Sequence, residues 1–290
     1  ITMRLSLDEQ FFVSMIKINA MNITLAQPYA VTDKGRRSNN EDSIFPPPES
    51  DFQNQRLFIV CDGVGGAEKG EIASNLACES ISSYFKAFSS NRETIDKSFI
   101  QKTIEYTETG FEDYIRIHPE AKGMATTLTL AYIGKSQITI AHIGDSRIYH
   151  IRNGQIIHKT EDHSLVNFLV KTGQLTPQEA LTSSKKNVIL RAIQGSHNPA
   201  EAEVTVLRNI MPDDYLFLCT DGVLEKIDDE KLMEIFKKGG SNSCAIKEMI
   251  TDICAENSRD NYSFYIIPIQ KTADIAEEAQ KVFSFFYSLI

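Results

Sequence analysis

Four aspartates stand where apolar runs of this chain end. In LFIVCDGVGG, residues 57–66, five apolar residues lead into Asp62 and then into glycine, and LFLCTDGV, residues 216–223, repeats the pattern at Asp221. Gly144-Asp145 lies between two alternating runs in ITIAHIGDSRIY, and Asp260 comes just ahead of the apolar stretch in SRDNYSFYIIPI. One Asp-Gly after a strand is ordinarily a turn. Four acids reached from core-like strands read differently. If the strands bring them together, their carboxylates repel on the order of several kcal/mol unless a positive charge sits among them. Clusters made only of oxygen select hard cations such as Mg²⁺, Mn²⁺ or Ca²⁺. Gly63, with no side chain, is free to turn its carbonyl toward the ion that Asp62 binds.

Upstream, GRRSNNED at residues 35–42 adds Glu41 and Asp42 and places Arg37 beside them, with Arg36 as the neighbour that competes for its role. A guanidinium forks onto paired phosphate oxygens, and beside a multi-carboxylate cation site it points to phosphoryl chemistry. Absences narrow the choice. No cysteine precedes an arginine at Cys-x5-Arg spacing, and no Asp-x-Asp follows an apolar strand. The dinucleotide fingerprint fails because Gly63-Val64-Gly65 meets Glu68 where the last glycine is required, and there is no Walker A sequence. Gly144-Asp145-Ser146 hints at a serine esterase, but no Asp-x-x-His completes a triad. Water activated by a metal remains as the nucleophile.

The elements that must position these residues are short strands with helices inserted in pairs. Apolar or alternating runs predict strands over 30–32, 57–61, 127–133, 137–143, 147–151, 155–158, 203–207, 215–219 and 262–269. Arg152-Asn153-Gly154 marks a hairpin. Ile72, Leu76, Ala77, Ile81 and Phe85 recur at helical spacing, as do Ile95, Ile100, Ile104, Phe111 and Ile115. Two further helices are predicted over 230–238 and 244–257, and Thr176-Pro177-Gln178-Glu179 has the form of a capping box. Hairpins interrupted by helix pairs argue α+β with antiparallel sheets.

The chain has 290 residues, 42% hydrophobic and 24% charged, enough for one large domain without disulfides. With 39 acidic against 30 basic residues, a formal charge of -9 and no dense Lys/Arg stripe, nucleic acid is not the expected ligand. Five scattered cysteines with no Cys-x-x-Cys pair read as buried small hydrophobes in a reducing cytoplasm. Arg4, Asp8, Glu9 and Lys17 interrupt the early FFVSMI patch, which argues against a signal peptide. Residues 1–27 read as an N-terminal extension, the start at Ile1 pointing either to a fragment or to added residues; residues 28–270 read as the catalytic domain. Residues 271–290 end in VFSFFYSLI, a docking helix far shorter than the ~20 residues of a membrane span.

Taken together, GRRSNNED, VCDGVGG, GMATTLTL (123–130), HIGDSRIY, TEDHS (160–164), CTDGV and RDN resemble the metal-dependent serine/threonine phosphatases of the protein phosphatase 2C family, in its bacterial style. The resemblance implies a four-layer α/β/β/α sandwich with the metal centre at one end. It implies that Asp62 bridges two Mg²⁺ or Mn²⁺ ions, that Glu41 and the Gly63 carbonyl serve one, and that Asp221 and Asp260 serve the other. Asp42 would hold water on the metals, Arg37 would clamp the phosphate, and Asp145 with Asp221 would hold a weaker third ion. Water between two ions about 3.5–4 Å apart would attack phosphorus in line. Residues 164–191, with Lys185 and Lys186, correspond to a variable flap that would govern substrate choice. Many eukaryotic members carry a histidine as general acid where this chain has Val64, so the proton donor is left unassigned. His163, the histidine nearest a motif, reads as a hydrogen-bonded structural residue. The expected partners are phosphorylated proteins and a cognate Ser/Thr kinase, with the enzyme a monomer. The competing readings are a catalytically silent binding module and a hydrolase of small phosphoesters.

Overall fold

The structure, a computed structural model, describes residues 23–271 apart from 53, 66, 67, 90–93, 186 and 187. The expectations for residues 1–22, for the C-terminal helix and for Lys186 fall outside the described residues.

The strand Leu57–Val64 shows how sequence alternation builds the layers. Leu57, Ile59 and Cys61 face one apolar cluster, while Phe58 and Val60 face another. A strand apolar on both faces must be covered on both.

In chain order the strands are β1 (Thr24–Leu25), β2 (Tyr29–Asp33), β3 (Asp42–Phe45), β4 (Leu57–Val64), β5 (Ala125–Thr126) and β6 (Leu128–Ile133). They continue with β7 (Ile138–Ile143), β8 (Arg147–Arg152), β9 (Gln155–Lys159), β10 (Glu203–Leu207), β11 (Tyr215–Cys219) and β12 (Tyr262–Lys271). The α-helices are α1 (Glu68–Phe88), α2 (Lys97–Ile117), α3 (Leu165–Lys171), α4 (Pro177–Thr182), α5 (Asp221–Leu224), α6 (Asp229–Gly239) and α7 (Ser243–Asn257).

All strand pairs are antiparallel and form two sheets, β1-β12-β11-β8-β9 with β2 also on β12, and β10-β7-β6-β4-β3 with β5 also on β4. Phe58, Val60, Ile140, Ile148, Leu218 and Tyr265 fill the space between the sheets. Ile81, Phe85, Ile100 and Phe111 of α1 and α2 pack on the outer face of one sheet. Leu232, Phe236, Ile246 and Ile250 of α6 and α7 pack on the outer face of the other. The result is the α/β/β/α sandwich that the family resemblance implies, built from the antiparallel sheets that the hairpins and helix pairs predict.

Each predicted strand is present, and the Thr176 capping box forms with Glu179. Alternation did not predict β1, β3 and β5, which are two to four residues long. Strands this short are made by pairing with β12 and β4 rather than by their own pattern. The first sheet therefore begins at Thr24, inside the segment read as an extension.

Candidate active site

The ends of β3, β4, β11 and β12 converge at one end of the sandwich and carry the acids with them. Asp42 and Asp62 are direct cross-strand partners. Asp42 is buried and accepts a hydrogen bond from Thr220 Oγ1 at 3.0 Å, where Thr220 caps the turn that begins with Asp221. Asp62 is fixed through its backbone: its N–H donates to Thr127 Oγ1 at 3.0 Å, and its carbonyl accepts from Thr127 N and Thr126 Oγ1 at 2.9 Å each. The Gly63 N–H donates to the Glu41 carbonyl at 3.0 Å, which draws the Glu41 loop onto the end of β4.

Two glycines permit this approach. A Cβ on Gly63 would overlap the Gly70 carbonyl and lie 2.7 Å from the Glu41 carbonyl oxygen. A Cβ on Gly222 would overlap the Asn261 carbonyl and sit 3.3 Å from Asp260 Cβ. The glycines after Asp62 and Asp221 thus permit close backbone packing at the ends of β4 and β11, Gly63 against α1 and the Glu41 loop and Gly222 against the segment entering β12.

Without a cation the cluster is electrostatically frustrated. Burial, followed by Asp42, Asp221, Asp145 and Asp260, pushes Asp62 well above the usual carboxylate range. Burial and then Asp260 raise Asp221 to about 6. Burial lifts Asp42 to about 7, opposed by hydroxyls of Ser263 and Thr220, and lifts Asp145 to about 7. Asp145 Oδ1 is buried with no hydrogen-bond partner among the described residues. Glu41 is raised chiefly by burial. An all-oxygen set with repelling carboxylates and an orphaned carboxylate oxygen fits hard divalent cations and no soft metal.

Arg37 Nη2 donates to Asp260 Oδ2 at 2.7 Å, and this bond, more than any other contact, raises the guanidinium further. It is 59% exposed, with further N–H groups left for a ligand. Arg36 turns away, giving Nη2 to the Glu256 carbonyl at the end of α7. Of the two arginines, Arg37 is the one that lies against the acid cluster. Ser146 is fully buried against Thr127 Oγ1 at 2.8 Å, so it is no exposed nucleophile. Val64 is 38% exposed beside Gly63 and brings no ionisable group. His163 is partly buried, stacked on His142 and lowered to about 4 chiefly by desolvation, consistent with a structural histidine.

Sequence reasoning left Asn261 without a role. Its Oδ1 accepts from Glu41 N at 2.8 Å, and its Nδ2 donates to the carbonyls of Lys34 and Asn39 at 2.9 and 2.8 Å. One amide therefore folds the entire Arg37–Glu41 loop over Asp260. Its neighbour in the Arg-Asp-Asn motif was the available signal.

The model of the family described as "Protein phosphatase 2C" matches residues 34–255. The serine/threonine phosphatase stp of Listeria monocytogenes is 33% identical over 241 residues, 81% of this chain and 93% of that protein. The chain belongs to the protein phosphatase 2C family. Among solved structures, a bacterial serine phosphatase superposes with a TM-score of 0.74 at 31% identity, covering 84% of this chain and 98% of that one. The catalytic domain of the phosphatase PstP, solved with two manganese ions, gives 0.69 at 26% identity over 85% of this chain and 99% of that one. The sandwich of this chain is thus the fold of a family of phosphatases.

Proposed function

We propose that this protein phosphatase 2C member is a Mg²⁺- or Mn²⁺-dependent serine/threonine protein phosphatase with a binuclear centre. The observation that carries the reading is the gathering of Asp62, Asp221, Asp260 and Asp145 at one sheet end, with the carboxyls of Asp62, Asp221 and Asp145 raised by burial and then by the neighbouring carboxylates. Glu41, the Gly63 carbonyl, Asp62, Asp221 and Asp260 would hold two ions, and Asp145 with Asp221 a weaker third. When bound, such ions supply an activated water at neutral pH and offset charge on the phosphoryl group. The chain's own residues do the rest. Asp42, whose Oδ2 accepts from Thr220 Oγ1, would accept a hydrogen bond from water held at the metal site. Arg37, tethered to Asp260, presents its remaining N–H groups to the phosphate oxygens. With Val64 at the site's edge, no side chain of this set donates the proton to the leaving alkoxide, and that proton comes from solvent.

The site opens outward, with Arg37 and Val64 exposed, and the flap presents Phe168, Val188 and Leu190 at 52, 43 and 49% exposure. An open rim beside apolar flap residues supports a polypeptide-borne phosphate over a small phosphoester. The catalytic domain in this reading runs from β1 to the end of β12 and acts as a monomer opposite a Ser/Thr kinase; the free cysteines support a cytoplasmic setting.

The test is phosphate release from a phosphothreonine peptide and from p-nitrophenyl phosphate. Turnover is expected with Mn²⁺, abolished by EDTA, and more efficient on the peptide. Turnover that survives EDTA contradicts the mechanism. A protein that binds Mn²⁺ and releases phosphate from no peptide is the silent module.

A further inference from the structure

His163 belongs to neither the acid cluster nor the phosphate clamp, yet it grips the turn that carries Asp145. Its N–H donates to the Gly144 carbonyl at 2.8 Å, and its Nδ1 accepts from Gly144 N at 3.2 Å. A backbone N–H can only donate, so Nδ1 is the bare nitrogen and Nε2 carries the hydrogen. From the opposite side the turn meets Thr127: a Cβ on Gly144, whose φ is +100°, would lie 2.7 Å from Thr127 Cγ2. Thr127 in turn binds Asp62 through side chain and backbone. The Asp145 turn is thus held between the strand of the bridging acid and the imidazole of His163.

His163 is also joined to the flap. Its carbonyl accepts from Leu190 N at 2.7 Å, Leu165 N donates to the Val188 carbonyl at 2.8 Å, and Ser164 bridges Ile189. Asp162, just before it, is locked by Arg147 at 2.7 and 2.8 Å.

His142, His163 and Glu203 have ligand-capable atoms within 4.8 Å of one another, which suggests a second metal site. The ring geometry opposes it. The imidazoles stack at 4.4 Å with 17° between planes, so their in-plane lone pairs run nearly parallel and do not meet on one ion. His142 Nε2 is engaged with the Glu161 carbonyl at 2.9 Å, and His163 Nε2 lies 3.5 Å from Glu203 Oε2. The stack fixes the plane of the His163 ring.

We propose that His163, as the Nε2–H tautomer, is a positioning residue that sets the Asp145 carboxylate for a divalent cation and couples that site to the flap. The inference rests on the metal-dependent phosphatase reading. It adds that this weaker site depends on an imidazole that never touches the ion.

The test uses the whole chain and Mn²⁺ titrated calorimetrically into metal-stripped protein. His163→Phe keeps a stacking ring and removes the acceptor for Gly144 N; His163→Asn offers an acceptor without the ring. We expect His163→Phe to weaken the Asp145-dependent site about 10- to 100-fold while leaving the two tighter sites unchanged, and His163→Asn to recover part of the loss. In an Asp145→Asn background, His163→Phe should change neither Mn²⁺ binding nor turnover further. The proposal is overturned by wild-type affinity in His163→Phe, by equal weakening of every site, by an undiminished further loss in the Asp145→Asn background, or by a wild type with no Asp145-dependent site. Nitrogen-15 NMR of the wild-type imidazole needs no variant to fold; a protonated Nδ1 there also overturns it. Absence of Mn²⁺-dependent phosphate release from wild type defeats the phosphatase reading instead, and the binding and tautomer measurements still judge His163 separately.

Discussion

Asp62 sits where burial and four neighbouring carboxylates all favour its protonated form, so in the metal-free protein its negative charge is a source of repulsion. Asp62→Asn keeps the shape and removes that repulsion. Its thermal midpoint in EDTA is expected to rise, by about 2–4 °C for each kcal/mol relieved, while Mn²⁺-dependent phosphate release falls about 100-fold or more. Thermal unfolding and turnover on the same sample check both. The same electrostatics fix a pH dependence. Asp42 and Asp145, raised to about 7, and Asp221, raised to about 6, bind protons in the folded state that they lack when unfolded at those pH values. Their contribution to stability is present at acid pH and lost as pH rises through 6 to 7. His142, His158 and His163 are held below their ordinary value by burial, so their contribution has the opposite sign and is lost as pH falls below about 6.5. Between pH 6.5 and 8 the carboxylates act alone. Thermal midpoints in EDTA should fall across that window, and saturating Mg²⁺ should remove the fall.

The turn from Lys34 to Glu41 is an element with little structure of its own, and its position comes from Asn261. Asn261→Ala leaves the Glu41 N–H and two carbonyls without their partner. Its expected effect is a loss of about 10- to 100-fold in Mn²⁺ affinity and turnover, with the far-ultraviolet circular dichroism spectrum unchanged. A variant with wild-type Mn²⁺ affinity would show that the loop holds itself. Asp62 and Asp221 could be read from sequence because each ends a run of residues apolar on both faces, a local signal. Asn261 could not, because its partners lie 220 to 227 residues away in sequence. The strand Asp42–Phe45 was hidden for a related reason: it is four residues long and owes its form to pairing with Leu57–Val64. The capping box at Thr176 was legible because every atom it needs lies within four residues.

At the scale of the whole molecule, two sheets pressed face to face bring β4 and β11 together, so that two similar motifs 159 residues apart in Asp62 and Asp221 share one site. Alternation predicted the strands and the family resemblance implied the layers, but strand order is a property of pairing that no single segment encodes. It is this order that converts four separate turns into one acid cluster. The central claim is that the cluster exists to hold divalent cations in place of protons. Calorimetric titration of Mn²⁺ into metal-stripped protein near pH 7, repeated in buffers of different ionisation enthalpy, tests it most directly. Two tight ions per chain, the number held by the PstP catalytic domain, should bind with net proton release, and Asp62→Asn should lose both. Binding without proton release, or full binding by Asp62→Asn, would contradict the account.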